Sequence, residues 1–178
     1  MTDEKLIADA KAGDDNAFRE LVRRYESRIA ATVMGMLGKC PEADDVGQET
    51  FIRFYNGLKN FRGESSLATY LTRIAINLSL NELKRRKRRS MLFWKTSDEN
   101  YEIPDEKARS EYSEDKEIVQ KAIQKLDSKF RAVIILRLVD GYSTEEAAEI
   151  LNIPVGTVLS RLSRAQQRLK EDLLPIFE

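Results

Sequence analysis

Three arginines spaced along one helical stretch carry the most specific chemistry in the chain. Arg161, Arg164 and Arg168 lie in VGTVLSRLSRAQQRL, with Thr157 and Ser160 on their side and Val155, Val158, Leu162, Ala165 and Leu169 on the other. A guanidinium can donate two hydrogen bonds to guanine, and a Ser or Thr hydroxyl can meet a base edge or a phosphate. Just upstream, Ser143 and Glu146 have the spacing of a capping box. They open a short amphipathic helix that ends at Asn152-Ile153-Pro154. Two such helices joined by a tight turn suit a helix-turn-helix, whose second helix lies in the major groove of DNA. The plainer alternative is a helical hairpin with a solvated basic face. Gly141, the capping box and the NIPVGTV turn together favour DNA readout.

The N-terminal half offers three further clusters. Lys84 to Arg89, KRRKRR, attracts phosphates without reading sequence. It is equally well explained as a solvated helix end that complements the helix dipole. Before it, Arg73, Asn77 and Lys84 recur at spacings of four and seven and share a face opposite Leu71 and Leu78. Phe61 and Tyr70 lie close by, next to the polar FRGESS loop. Stacking rings beside cations and amides suit single-stranded DNA, although for Phe61 a core position fits the spacing better. The third cluster is the acidic stretch EADDVGQETFIRFY. There Asp44, Asp45, Gln48 and Glu49 form a polar ridge, with Arg53 one turn beyond Glu49. Carboxylates near a helix start favour its dipole. A metal site would need more than this ridge, with no His or Cys beside it. A protein-docking surface is the remaining reading.

Composition narrows the field. The chain has 178 residues, 30 basic and 30 acidic, so net charge alone selects no partner. Distribution says more. Residues 1–90 hold 17 basic against 13 acidic residues, 91–115 hold 3 against 8, and 116–178 hold 10 against 9. An acidic segment thus separates two segments with basic features. There is no His and a single Cys, Cys40, so an intrachain disulfide and a His-based metal or acid–base site are both excluded. Nothing in the composition calls for a cofactor. Cys40 before Pro41 reads as a small residue at a turn. The N-terminus lacks the pattern of a signal peptide, and no apolar run approaches a membrane span. A cytoplasmic protein without membrane insertion is expected.

The elements that position these groups are helical throughout. A short amphipathic stretch over Lys5–Ala12 precedes a turn at Gly13–Asn16. Phe18, Leu21, Val22, Tyr25, Ile29, Val33 and Met36 then predict one long helix, ended by Gly38 to Pro41. A third helix over about Pro41–Leu58 carries Val46, Thr50, Phe51, Phe54 and Leu58 on one side. A loop over Asn60–Ser66 follows, then a fourth helix over about Leu67–Arg89 with Leu67, Leu71, Ile74 and Leu78 in register. Periodicity fails from Ser90 to Asp115, which predicts a flexible linker with a short contact around Met91–Trp94. Helices resume at Ile118, and Asp127-Ser128 is a candidate cap for the helix carrying Phe130, Val133, Ile134 and Leu138. Gly141 closes that helix. The final helix runs to about Leu173. The fold expected is all-α: two small helical domains, 1–90 and 116–178, joined by a flexible acidic linker at 91–115.

These motifs, in this order, resemble a bacterial RNA polymerase sigma factor of the extracytoplasmic-function type, group IV of the sigma-70 family. ADDVGQETFIRFY, Ala43–Tyr55, resembles region 2.2. FRGESSLATYLTRIAINL, Phe61–Leu78, resembles regions 2.3 and 2.4. Leu126–Leu173 resembles region 4, with GTVLSRLSRA at Gly156–Ala165. The pattern lacks region 1.1 and a folded region 3, as in the minimal group. The resemblance implies that the chain binds core polymerase, directs it to a promoter with two elements and helps melt the DNA, with no covalent chemistry of its own. Asp44, Asp45, Gln48, Glu49 and Arg53 would dock on the β′ clamp. The loop Asn60, Phe61, Arg62, Gly63, Glu64, Ser65 and Ser66 would capture a base flipped from the −10 element. Tyr70, Arg73, Asn77 and Lys84 would line the melted strand and its duplex edge. Thr157, Ser160, Arg161 and Arg164 would read the −35 element, with Arg168 on phosphates. The linker would run through the RNA exit region beside the β subunit. An anti-sigma factor would close the domains or wedge them apart, and the free chain would be a monomer.

One residue departs from the family pattern. Gly47 stands where an apolar residue is usual, in the middle of the docking helix. It either loosens that helix or permits a closer approach. Two rival readings remain: a dimeric helix-turn-helix regulator binding a palindrome, and a hydrolase using Asp44, Asp45 and Glu49. The latter has no His, no ligand spacing and no glycine-rich phosphate loop.

Overall fold

The computed structural model describes residues 1–96 and 114–177, with side chains described outside 94–96. All regular structure among them is helical. The first domain comprises α1 (Asp3–Lys11), α2 (Asp15–Leu37), α3 (Pro41–Gly57) and α4 (Leu67–Thr96). Each start has a local cause. Thr2 caps α1 through the Lys5 N–H, and Asp14 caps α2 through the N–H groups of Asn16 and Ala17. Pro41 sits at the first turn of α3, where its missing N–H costs nothing. Ser66 accepts the Thr69 N–H at the head of α4. Gly38, with φ +78°, ends α2 in a backbone conformation that a side chain would strain.

α2, α3 and α4 pack on one another and α1 lies across α2. The expected apolar positions fill this core: Leu21, Ile29, Val33, Met36, Phe54, Leu58, Leu67 and Leu71 are all buried. At one end the rings of Phe18, Phe54, Phe61 and Tyr70 form a chain of stacked and edge-on contacts. Such pairs add stabilisation beyond the area they bury.

The second domain comprises α5 (Glu114–Lys125), α6 (Ser128–Ile134), a π-helical turn at Ile135–Val139, α7 (Thr144–Leu151) and α8 (Val155–Phe177). The capping box forms as expected. Ser143 Oγ accepts the Glu146 N–H at 3.1 Å, and the Glu146 carboxylate accepts the Ser143 N–H at 2.7 Å. Asn152, with φ +51°, makes the left-handed turn between α7 and α8. Asp127 occupies the cap position of α6, but its side chain makes no cap bond there and instead meets Arg168.

Three expectations need correction. α4 runs past Arg89 to Thr96 and α5 begins at Glu114, so helix invades both ends of the expected linker. The rest of that linker, 97–113, lies outside the described residues. Val155, expected on the buried face of α8, is 40% exposed because it occupies the first position, where the helix has not yet turned onto the core. Leu138, expected to follow the apolar face of its helix, is exposed: the π-helical turn, with its wider i→i+5 bond from Asp140 N to Ile135 O, rotates it outward.

The two domains pack against each other. α2 meets α5, α6 and the π-helical turn, and α4 meets α6 and α7. Gly35 leaves room for a close approach: a Cβ there would fall 2.6 Å from Ile135 Cδ1. The Arg131 guanidinium, buried beneath the contact, donates to the carbonyls of Met36, Leu126 and Gln124. Burial holds its pKa below the usual guanidinium value. No described helix is long and apolar enough to cross a membrane.

Candidate nucleic-acid and polymerase interfaces

On α8, Val158 and Ala165 are fully buried against α6 and α7, which turns Ser160 and Arg164 to solvent. Thr157 and Arg161 are half-buried at the edge of that face. Ser160 Oγ donates to the Thr157 carbonyl at 3.1 Å. Arg168 stands further along the helix. Its guanidinium lies 4.7 Å from the Phe130 ring centre and pairs with Asp127 at 3.2 Å. The turn, the capped α7 and the exposed face of α8 have the geometry of a helix-turn-helix.

On α3 the ridge is exposed at Asp44, Asp45 and Gln48. Glu49 is half-buried and accepts Arg53 Nε at 2.9 Å, one turn on. Exposed pairs of this kind contribute little to stability, so the ridge is free to serve a partner. Gly47 has no heavy atom within 4 Å of where a Cβ would be. Among the described residues, no close approach requires glycine there.

The loop from Asn60 to Ser66 divides into two groups. Asn60, Arg62, Gly63 and Glu64 are exposed. Arg62 and Glu64 approach to 3.9 Å, and Gly63 has φ +71°. Phe61 is only 8% exposed, its ring packed 4.8 Å from Tyr70 and its carbonyl accepting Lys11 Nζ at 2.6 Å. Phe61 therefore holds the loop from within, and Ser66 is occupied as a helix cap. Ser65 and Tyr70 are half-buried.

Arg73, Asn77 and Lys84 do share a side of α4, but their surroundings differ. Asn77 and Lys84 are exposed. Arg73 donates through Nη2 to the Glu149 carboxylate of α7 at 2.7 Å, while its Nε is buried without a partner. Beside it, the hydroxyls of Thr72 and Tyr142 are hydrogen-bonded at 2.8 Å, buried between the domains. Sequence reasoning missed Thr72, Tyr142 and Glu149. One signal was present: Thr72 and Ser79, seven apart, place small polar residues on a side of α4 that the apolar stripe leaves unused.

The KRRKRR run resolves into two kinds of residue. Glu82, 9% exposed, gathers Arg85, Arg86 and Arg89. Arg86 also donates to the Leu37 carbonyl at 3.1 Å and lies 3.0 Å from Cys40 Sγ, tying α4 to the end of α2. Lys84, Lys87 and Arg88 are exposed.

Comparison with known proteins agrees with this geometry. Residues 21–89 match the family model for Sigma-70 region 2, and 116–169 match that for Sigma-70 region 4. The chain is 37% identical to the ECF RNA polymerase sigma-E factor of Escherichia coli, over 99% of this chain and 97% of that protein. It is 34% identical to the sigma-E factor of Haemophilus influenzae, over 99% and 98%. Its structure resembles the sigma factor RpoE crystallised with the anti-sigma factor NepR from Bartonella quintana, with a TM-score of 0.70, 28% identity, and coverage of 88% of this chain and 96% of that one. The chain belongs to the extracytoplasmic-function sigma factors of the sigma-70 family, which bind core RNA polymerase and direct it to initiate transcription at specific promoters.

Proposed function

We propose that the three surfaces divide the work of initiation. Asp44, Asp45, Gln48, Glu49 and Arg53 dock on the β′ clamp of the core enzyme. Asn60, Arg62, Gly63 and Glu64 contact the non-template strand of the −10 element. Phe61 supports that loop from its buried side, with Ser65 and Ser66 setting its exit into α4. Tyr70, Arg73, Asn77 and Lys84 line the upstream edge of the melted strand. Thr157, Ser160, Arg161 and Arg164 read the −35 element, and Arg168 holds a phosphate. The observation that carries this assignment is the outward basic face of α8 behind a capped α7 and a left-handed Asn152 turn. Phosphate contacts fix register and base contacts specify. Two reading surfaces on one chain make the second contact intramolecular, which strengthens binding without new contacts.

The chain acts beside polymerase and chromosome in the cytoplasm. Because the similar RpoE was crystallised with an anti-sigma factor, a regulator of that kind is the partner proposed for this chain in its inactive period. The test of the whole assignment is reconstituted run-off transcription with purified core polymerase on fragments of the source genome. Initiation at discrete sites, absent with core alone, is the expected result and supplies the promoter sequence. Failure to bind core or initiate would return the chain to the dimeric-regulator reading.

A further inference from the structure

Lys11 ends α1, 50 positions before the loop, yet its ammonium donates to the Phe61 carbonyl at 2.6 Å. α1 is placed for this by its own fastenings. Leu6 and Ala10 are buried in the first domain's core. Asp3 accepts the Tyr25 hydroxyl and, at 3.0 Å, Arg24 Nη1. The helix also lies against the 3₁₀ turn Leu58–Asn60 that leads into the loop. We propose, resting on the assignment of this loop to the −10 element, that Lys11 is a positioning residue for base capture: by holding the Phe61 carbonyl it aims the Arg62 N–H, and the loop tip that follows, at the flipped base.

Ring packing alone does not set the direction of the chain here. Phe54 and Tyr70 hold the Phe61 ring, with ring centres 6.4 and 4.8 Å away, but a held ring leaves its own peptide plane free to turn. That plane is trans, so its C=O and N–H point to opposite sides. Fixing the Phe61 carbonyl toward Lys11 therefore directs the Arg62 N–H away from α1. Among the described residues, nothing accepts a hydrogen bond from the N–H groups of Arg62, Gly63 or Glu64. These donors are open to a ligand, between Arg62 and Glu64 side chains that are each more than four-fifths exposed. On the far side, Ser66 Oγ accepts the Thr69 N–H at 3.1 Å and bonds the Thr69 hydroxyl at 2.9 Å. Lys11 and Ser66 thus anchor the tip from either side. A charged donor makes a stronger bond than a neutral one. A loop fixed beforehand avoids the ordering cost that a free loop meets on binding. Lys11 is itself exposed, so removing its ammonium leaves the Phe61 carbonyl to water; the fold survives and the aim is lost.

The experiment uses holoenzyme reconstituted from core polymerase and the full chain. Fluorescence anisotropy reads its binding to a single-stranded oligonucleotide carrying the non-template −10 sequence found by run-off mapping, either intact or with one base at a time replaced by an abasic sugar. Lys11→Met keeps the stem and removes the charged donor. It should bind the intact strand about tenfold more weakly, the worth of one charge-assisted hydrogen bond, with an unchanged slope of log affinity against log salt. On the strand that lacks the captured base, Lys11→Met and wild type should bind alike, an outcome that a general loss of fold or of core affinity does not produce. Gly63→Val distorts the tip directly, because a β-branched residue is strained at φ +71°, and should show the same pattern. Equal binding of Lys11→Met and wild type to the intact strand overturns the proposal. So does a deficit that persists on every abasic strand; a salt slope shallower by about one then assigns Lys11 to a phosphate instead. The loop is tested apart from its brace. If Gly63→Val loses binding and Lys11→Met does not, the role of Lys11 falls and the loop stands. If neither variant differs from wild type, the assignment of the loop falls and the role of Lys11 with it.

Discussion

α4 and α8 are patterned alike, each an amphipathic helix with Arg, amide or hydroxyl groups opposite an apolar stripe, yet the two faces end in different states. α8 packs by its stripe, through Val158 and Ala165, and by Arg168 against Asp127 and Phe130, and leaves Ser160 and Arg164 in solvent. α4 is covered on two sides: Leu71 and Leu67 join the first domain's core, while Thr72 and Arg73 meet Tyr142 and Glu149 of the second domain. Of the α4 face, Arg73 is engaged while Asn77 and Lys84 stay exposed; on α8, Ser160 and Arg164 stay exposed. The difference comes from what packs on the helix, not from the residues the face carries.

The largest test of that difference is Arg131→Met. Arg131 joins α6 to the end of α2 through the Met36 carbonyl and also supports Leu126. Leaving these buried carbonyls unpaired should cost about 3 kcal/mol, most of it from the second domain. Urea denaturation followed by circular dichroism measures it; a loss confined to a few tenths would mean that the interface holds without this residue.

Next in size, Arg161→Ala with Arg164→Ala should lower −35-dependent transcription by about a hundredfold while core binding persists, since each good base contact contributes roughly 1–3 kcal/mol. Loss of core binding instead would mean that α8, not α3, meets the polymerase. Glu49→Arg should weaken core binding roughly tenfold by reversing the charge at one position of the acidic ridge, with an unchanged circular dichroism spectrum. Unaltered affinity in a pull-down titration would remove the ridge from the docking surface.

The two smallest effects are stabilising. Gly47→Ala meets open space in the middle of α3, so it should raise stability by about 1 kcal/mol through helix propensity and increase the melting temperature. A decrease would show that the position needs glycine. Asp140 is a finer probe of the domain contact. Burial raises its pKa, opposed by the Thr32 hydroxyl and the Arg28 charge. The folded chain therefore holds a proton there at pH values where the unfolded chain has lost it, and stability falls as pH rises from the ordinary carboxylate range through the raised value. Asp140→Asn should add less than about 1 kcal/mol at neutral pH and flatten that slope. An unchanged pH profile in thermal melts would place the source of the slope elsewhere.

Much of the molecule was legible along the chain because helix periodicity and caps are local. The heptad-like spacing from Phe18 to Met36 gave α2, Ser143 with Glu146 gave the start of α7, and the Asn152-Ile153-Pro154 turn gave the corner before α8. The end of α4 was not legible: the basic run and Met91 to Thr96 carry no break signal that separates continued helix from loop. The sorting of the basic run was equally hidden. Arg86 finds the Leu37 carbonyl 49 residues away, whereas its neighbours Lys87 and Arg88 are exposed.

By itself the sequence determined that the chain is helical, that it ends in a helix-turn-helix, and which family it resembles, since these depend on residue types at fixed short spacings. Only the tertiary structure decided that Phe61 is a core ring, that Arg86 reaches the Leu37 carbonyl, and that Glu149 pairs with Arg73. Those contacts join residues 7 to 76 positions apart. Which of several equivalent surface charges becomes engaged is set by the packing of one helix on another, and only the folded chain brings those helices together.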